Sequence, residues 1–189
     1  MKKASTRDVI AGSTLELLQN KRIEEITVAE IIHETGISNR TFYNHFQDKF
    51  DVCNYIYDQL LDQKCWITDG RRSTLSEFSA KLTELMKGDY AKFFSNTAFY
   101  LGQENLQDHI VSHGVEDLKK QLIYTGNEEL ISAESIGQLE VYMRGLAATM
   151  QYYARKRFQG ESLSLRIDMT KNLPQELHEA LTACPIIHD

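Results

Sequence analysis

The chain of 189 residues has little proline; Pro174 and Pro185 are the only two. Proline removes a helix hydrogen bond and clashes with the preceding turn, so this scarcity leaves long stretches free to be helical. Cysteine is scarce as well. Cys53, Cys65 and Cys184 are odd in number and scattered, with no CxxC pair. That pattern argues against a disulfide framework and for reduced, partly buried thiols. No basic cluster stands beside any of them to lower a thiol pKa, so redox sensing has no support.

Long apolar runs are missing too. None approaches the roughly 18 residues of a membrane span. The start, "MKKASTRDVIAGSTLELLQNKR", lacks the apolar block of a signal peptide. The expected location is the cytoplasm, with no membrane partner. There is no Gly-rich phosphate loop, no nucleophile elbow and no zinc-protease signature. An enzyme therefore has no positive feature, and no cofactor is expected.

The apolar share of 42% and charged share of 25% are those of a soluble globular protein. The net charge of -6 argues against a nucleic-acid binder until it is divided. Residues 1–50 carry seven cations and seven anions, so the whole deficit lies in 51–189. A neutral N-terminal part must bind any DNA through placed charges rather than a general field.

What is present is helical periodicity. Val9, Ile10, Leu15, Leu17 and Leu18 suit one broad helix face between Ser5 and Asn20. Thr27-Val28-Ala29-Glu30 fits a capping box that opens a short second helix. Thr35-Gly36 ends it, since glycine takes the left-handed conformation at little cost. Ser38 can cap a third helix. Two short helices joined by a glycine-containing turn of roughly three or four residues form a helix-turn-helix. On the third helix Phe42 and Phe46 face inward. At about 100° per residue, Arg40 and Asn44 fall nearly opposite Phe42, flanked by Thr41 and Tyr43. A longer helix is expected from near Asp48, and further amphipathic helices follow, the longest from about Ser135 to Phe158. "SLSLRIDMTKNL" and "PQELHEALTAC" read as weaker helices, with Pro174 as first residue of the second. No strand is expected. The reading is an all-α protein of nine or ten helices: a three-helix helix-turn-helix domain over 1–47 and a C-terminal helical bundle over 48–189.

"ITVAEIIHETGISNRTFYNHFQDKFDV" resembles the DNA-binding segment of TetR/AcrR-type transcriptional regulators. The likeness lies in Thr27, Ile31, Gly36-Ile37-Ser38, Thr41-Phe42-Tyr43, Phe46 and Lys49. Beyond about residue 60 it is architectural, apart from "YMRGLAATMQYYARKRFQG", which is similar to the family's penultimate long helix at the dimer interface. The phrase "NRTFYNHF" departs from commoner members, which often have a small residue where Arg40 stands. The resemblance implies a dimeric regulator, most often a repressor, bound to a pseudo-palindromic operator in double-stranded DNA. It also implies a C-terminal bundle that answers to a small molecule or a protein co-regulator. Nothing in the sequence identifies that effector or its site.

In such a unit Arg40 can give two parallel hydrogen bonds to guanine, and Asn44 or Asn39 can bracket adenine. Thr41 can touch a thymine methyl. The resemblance makes Tyr43 and Lys49 phosphate contacts, with Thr27 and Ser38 helping at helix N-termini; His45 can reach a phosphate too. Taken without the family pattern, Arg40 and Asn44 are ordinary solvated residues, Tyr43 lies partly in the core, and Lys49 pairs with Asp48 or Asp51. The stripe Leu139, Tyr142, Met143, Leu146, Met150 and Tyr153, with Gly145, Ala147 and Ala148 between, is a candidate dimer seam, half of which can equally be monomer core. The C-terminal aromatics read either as core or as a ligand cage. His109 and His113, four apart, could face one metal with Glu104 or Asp108, but no third ligand stands close in sequence and no metal is expected. The alternative function is a helical interaction protein, or a general DNA-coating protein, without effector control.

Overall fold

The computed structural model describes residues 5–98, 106–158 and 168–183. The fold is all-α, with nine α-helices among these residues. The helix-turn-helix part comprises α1 (Thr6–Leu17), α2 (Val28–Thr35) and α3 (Asn39–Tyr43). A long α4 (Lys49–Leu60) leads into α5 (Leu75–Lys87), α6 (Ala91–Thr97), α7 (Leu106–Tyr124), α8 (Ala133–Phe158) and α9 (Gln175–Thr182). Among the described residues no helix is long and apolar enough to cross a membrane.

Local chemistry explains the helix ends. Ser5 caps α1 and Asp8 returns the bond, a reciprocal pair that satisfies two of the N–H groups a helix start leaves free. Thr74 and Glu77 do the same for α5. Asp48 caps α4 by accepting from Phe50 and Asp51. Pro174 stands one residue before α9 and serves as its cap position, not as its first residue.

Two segments depart from expectation. Between α4 and α5 the chain makes one wide π-turn (Leu61–Cys65) and then a minimal hairpin, β1 (Ile67–Thr68) against β2 (Arg71–Arg72). Two-residue strands give no periodicity, but Asp69 and Gly70 both have positive φ, as the tight turn requires. Of the helix expected in "SLSLRIDMTKNL", residues 162–167 lie outside the described residues. The rest is a turn in which Asp168 accepts from the Thr170 N–H and hydroxyl.

One hydrophobic core runs from Ile10 to Leu181. α1 packs on α2 and α4, α4 on α7, α7 on α8, and α6 on α8. α4 thus touches both the helix-turn-helix part and the bundle. Its head, where the expected domain boundary falls, is bonded into the N-terminal part. Tyr55 donates to Asp8 at 2.8 Å, and Lys49 reaches back to the chain before α2. Cys53 and Cys65 are buried free thiols; burial pushes the Cys65 pKa up to about 12. Cys184 lies outside the described residues.

Candidate nucleic-acid interface

The turn between α2 and α3 is set by short-range bonds. Thr27 Oγ1 accepts from the Glu30 N–H at 3.2 Å, and Glu30 accepts from the Thr27 N–H at 2.8 Å. Lys21 adds an ion pair to Glu30 at 2.5 Å, and together these hold the Glu30 pKa down to about 2. Gly36 follows α2 with φ of 67°. Ser38 then caps α3, accepting from the Thr41 N–H at 3.0 Å and bonding its hydroxyl at 2.8 Å.

α3 is short, and its two faces differ sharply. Phe42 and Phe46 are buried, with ring centroids 6.1 Å apart. Tyr43 lies edge-on to Phe42 at 5.3 Å yet is 58% exposed, so it touches the aromatic anchor while most of it remains open. Asn39, Arg40, Asn44 and His45 are exposed. None of these four side chains has a hydrogen bond or ion pair among the described residues. Thr41 is half-buried and tied to Ser38, so both hydroxyls, like that of Thr27, already serve the local fold.

Lys49 is placed differently from its expected role at a phosphate. Its ammonium donates to the carbonyls of Ile26 at 2.5 Å and Glu24 at 3.1 Å, and partial burial lowers its pKa. Two of its three donors therefore clamp the chain ahead of α2 to the head of α4. It makes no ion pair with Asp48 or Asp51. Arg7, not singled out from the sequence, stacks over the rings of Phe46 (4.9 Å) and Tyr55 (4.3 Å). It is itself exposed.

Half of the expected α8 stripe is monomer core. Leu139, Met143 and Met150 are buried within the protomer. Tyr142, Leu146 and Tyr153 are half-buried against the same core, and Tyr142 donates to the Met169 carbonyl at 2.7 Å. The stripe is the inner face of α8, because periodicity marks an apolar face without saying what covers it. The outer face carries Val141 (74% exposed) and Tyr152 (56% exposed), with exposed Gly145 and Ala148 between them.

The aromatic stripe is largely core. Phe78 packs on Trp66 at 4.1 Å, and Phe93 and Phe94 are buried side by side. Phe99 and Tyr100 lie outside the described residues. A largely apolar cavity of about 30 Å³ lies between α5, α6, α7 and α8, lined by Met86, Phe94, Ile110 and Met150 together with the polar Thr97, Gln107 and Gln151. Among the described residues no group of three or more His, Cys, Asp or Glu side chains is arranged to hold a metal. His109 instead bonds Asp58 at 2.6 Å, Asp108 is exposed, and Glu104 lies outside the described residues.

The chain matches no protein-family model, and no curated protein matches it. The resemblance to TetR/AcrR-type regulators rests on the α2–α4 motif and the local likeness in α8 alone.

Proposed function

We propose that the chain is a sequence-specific DNA-binding regulator of transcription of the TetR/AcrR type, a repressor that acts in the cytoplasm as a homodimer. The observation that carries this reading is the outer face of α3. Arg40, Asn39, Asn44 and His45 are exposed and unpaired over an aromatic anchor, just after a glycine turn. A helix presented in this way docks in the major groove. Arg40 reads guanine and Asn44 or Asn39 reads adenine, while Tyr43 and His45 reach phosphates. The third donor of Lys49 is the only one left for DNA.

One such unit makes too few base contacts for specificity, so two are needed on a pseudo-palindrome. The outer face of α8 supplies the seam. Val141, Gly145, Ala148 and Tyr152 recur at spacings of four, three and four, with small residues that let two helices approach closely. The cavity beside α6 is the effector site. Its present volume suits a water molecule, not a metabolite, so an effector must part the helices around it, shifting a conformational equilibrium by differential affinity. A protein co-regulator is the other means of control.

Selection from random duplex DNA with the purified protein tests the reading. The expected product is an inverted repeat, with Arg40→Ala losing base preference at one position in each half-site. Recovery of no enriched sequence would contradict it and favour a coating protein.

A further inference from the structure

α4 and α7 meet through a relay of ionisable side chains. His109 and His113 lie a turn apart on α7, with rings 5.7 Å apart and near parallel. Both reach one oxygen of Asp58 on α4: His109 Nε2 at 2.6 Å and His113 Nε2 at 3.4 Å. The other nitrogen of His113, Nδ1, lies 3.3 Å from Asp117 Oδ2. That same oxygen accepts from Trp66 Nε1 at 2.7 Å, while Lys120 holds Asp117 Oδ1 at 3.0 Å. Tyr57 of α4 stands edge-on to both imidazoles. Asp62, one turn beyond Asp58, adds a third carboxylate to the field at His113. Arg72 faces the cluster from the hairpin, bonded to Gln121 and to the Asp117 carbonyl.

The geometry around His113 has one consequence. Both of its ring nitrogens face carboxylate oxygens, and a neutral imidazole has only one N–H to donate. Only the imidazolium can serve Asp58 and Asp117 together. Without that charge, His109 still bonds Asp58, but Asp58, Asp62 and Asp117 share the cluster with Lys120 and Arg72 as its permanent cations. The His113 side chain is 19% exposed, so water and protons can reach it. Directly after α4 comes the Leu61–Cys65 π-turn, a form that recurs at functional sites in helices.

We propose that Asp58, His113 and Asp117 form a proton-operated clasp, which fixes α4 to α7 while His113 is charged and loosens it when His113 is neutral. The Asp117 carboxylate beside the ring raises the His113 pKa above its ordinary value, against burial, with the charges of Asp58 and Asp62 adding to the rise. His113 thus holds its proton more tightly in the folded protein. The clasp is complete below about pH 6.5 and fades as pH rises through the folded value. Since α4 also carries the helix-turn-helix part, the proton sets how firmly that part is held to the bundle. This consequence for DNA rests on the function proposed above; the clasp does not.

Histidine titration by NMR, with amide exchange across residues 52–60 corrected for the intrinsic pH dependence, tests the clasp in the full chain. His113 should titrate above about 6.5, and protection of α4 should fall several-fold with the same midpoint. His113→Gln should abolish the step. Asp58→Asn should move it to lower pH, which keeps the test decisive if His113→Gln fails to fold. A His113 titration at or below the ordinary value, or flat α4 protection in the wild type, overturns the clasp. A pH step in α4 in a protein with no DNA sequence preference upholds the clasp and overturns the regulator reading instead.

Discussion

The side-chain amide of Asn96 donates to the carbonyl of Leu18 at 2.6 Å and joins α6 to the end of α1 across 78 residues of chain. Leu18 closes α1, so its carbonyl is one that a helix leaves without an internal partner. Asn96 is buried, and the helix carrying it also walls the apolar cavity. Any displacement of α6 therefore bears on the helix behind the candidate DNA-binding face. Asn96→Ala leaves the Leu18 carbonyl without its donor and should cost about 1–3 kcal/mol in urea unfolding. The Asn96 Oδ1 is itself unmet, which favours the lower end. Unchanged stability would show that this bond contributes nothing.

Gly36 should be intolerant for backbone reasons alone. Its φ is 67°, and a Cβ there would meet no atom within 4 Å. Gly36→Ala is expected to lose about 1–2 kcal/mol in thermal unfolding. Gly36→Asn should lose less, because asparagine visits the left-handed region more readily. Equal stability of all three would contradict the account of this turn.

The two faces of α8 should separate assembly from folding. Ala148→Arg on the outer face is expected to give a folded monomer by sedimentation. Met143→Ala on the inner face should remain dimeric but lose about 2–5 kcal/mol, since Met143 is 2% exposed. A dimeric Ala148→Arg variant would remove this seam.

Acid should weaken the fold through two capping carboxylates. Glu30 and Glu77 are held down to about 2, chiefly by hydrogen bonds from Lys21 and Arg71 respectively. Folded pKa values below the unfolded ones give stability that is present above about pH 4.5 and lost as pH falls toward 2. Glu77→Gln should flatten the stability profile in that window. A profile identical to the wild type would assign the acid response elsewhere.

The helix-turn-helix part was legible because its signals are local. Thr27 and Glu30, Gly36, and Ser38 act over three or four residues. Lys49 was not, because the carbonyls it binds come from a turn 23 and 25 residues earlier. The His109–His113 spacing announced a shared face, but Asp58 lies 51 residues before His109. The α8 stripe was visible as apolar, yet a helix buried by its own chain and one buried by a second copy show the same period. The β1–β2 hairpin is too short to leave a pattern.

Equilibrium titration of an inverted-repeat duplex and a scrambled duplex, at one fixed salt concentration, tests the central claim most directly. The upstream DNA of the protein's own coding region is the first source of that repeat. A preference of about a thousandfold or more is expected, with Arg40→Ala losing roughly 1–3 kcal/mol on the repeat and little on the scrambled duplex. Equal binding to a selected repeat and to scrambled DNA, unchanged by Arg40→Ala, would contradict a sequence-reading α3.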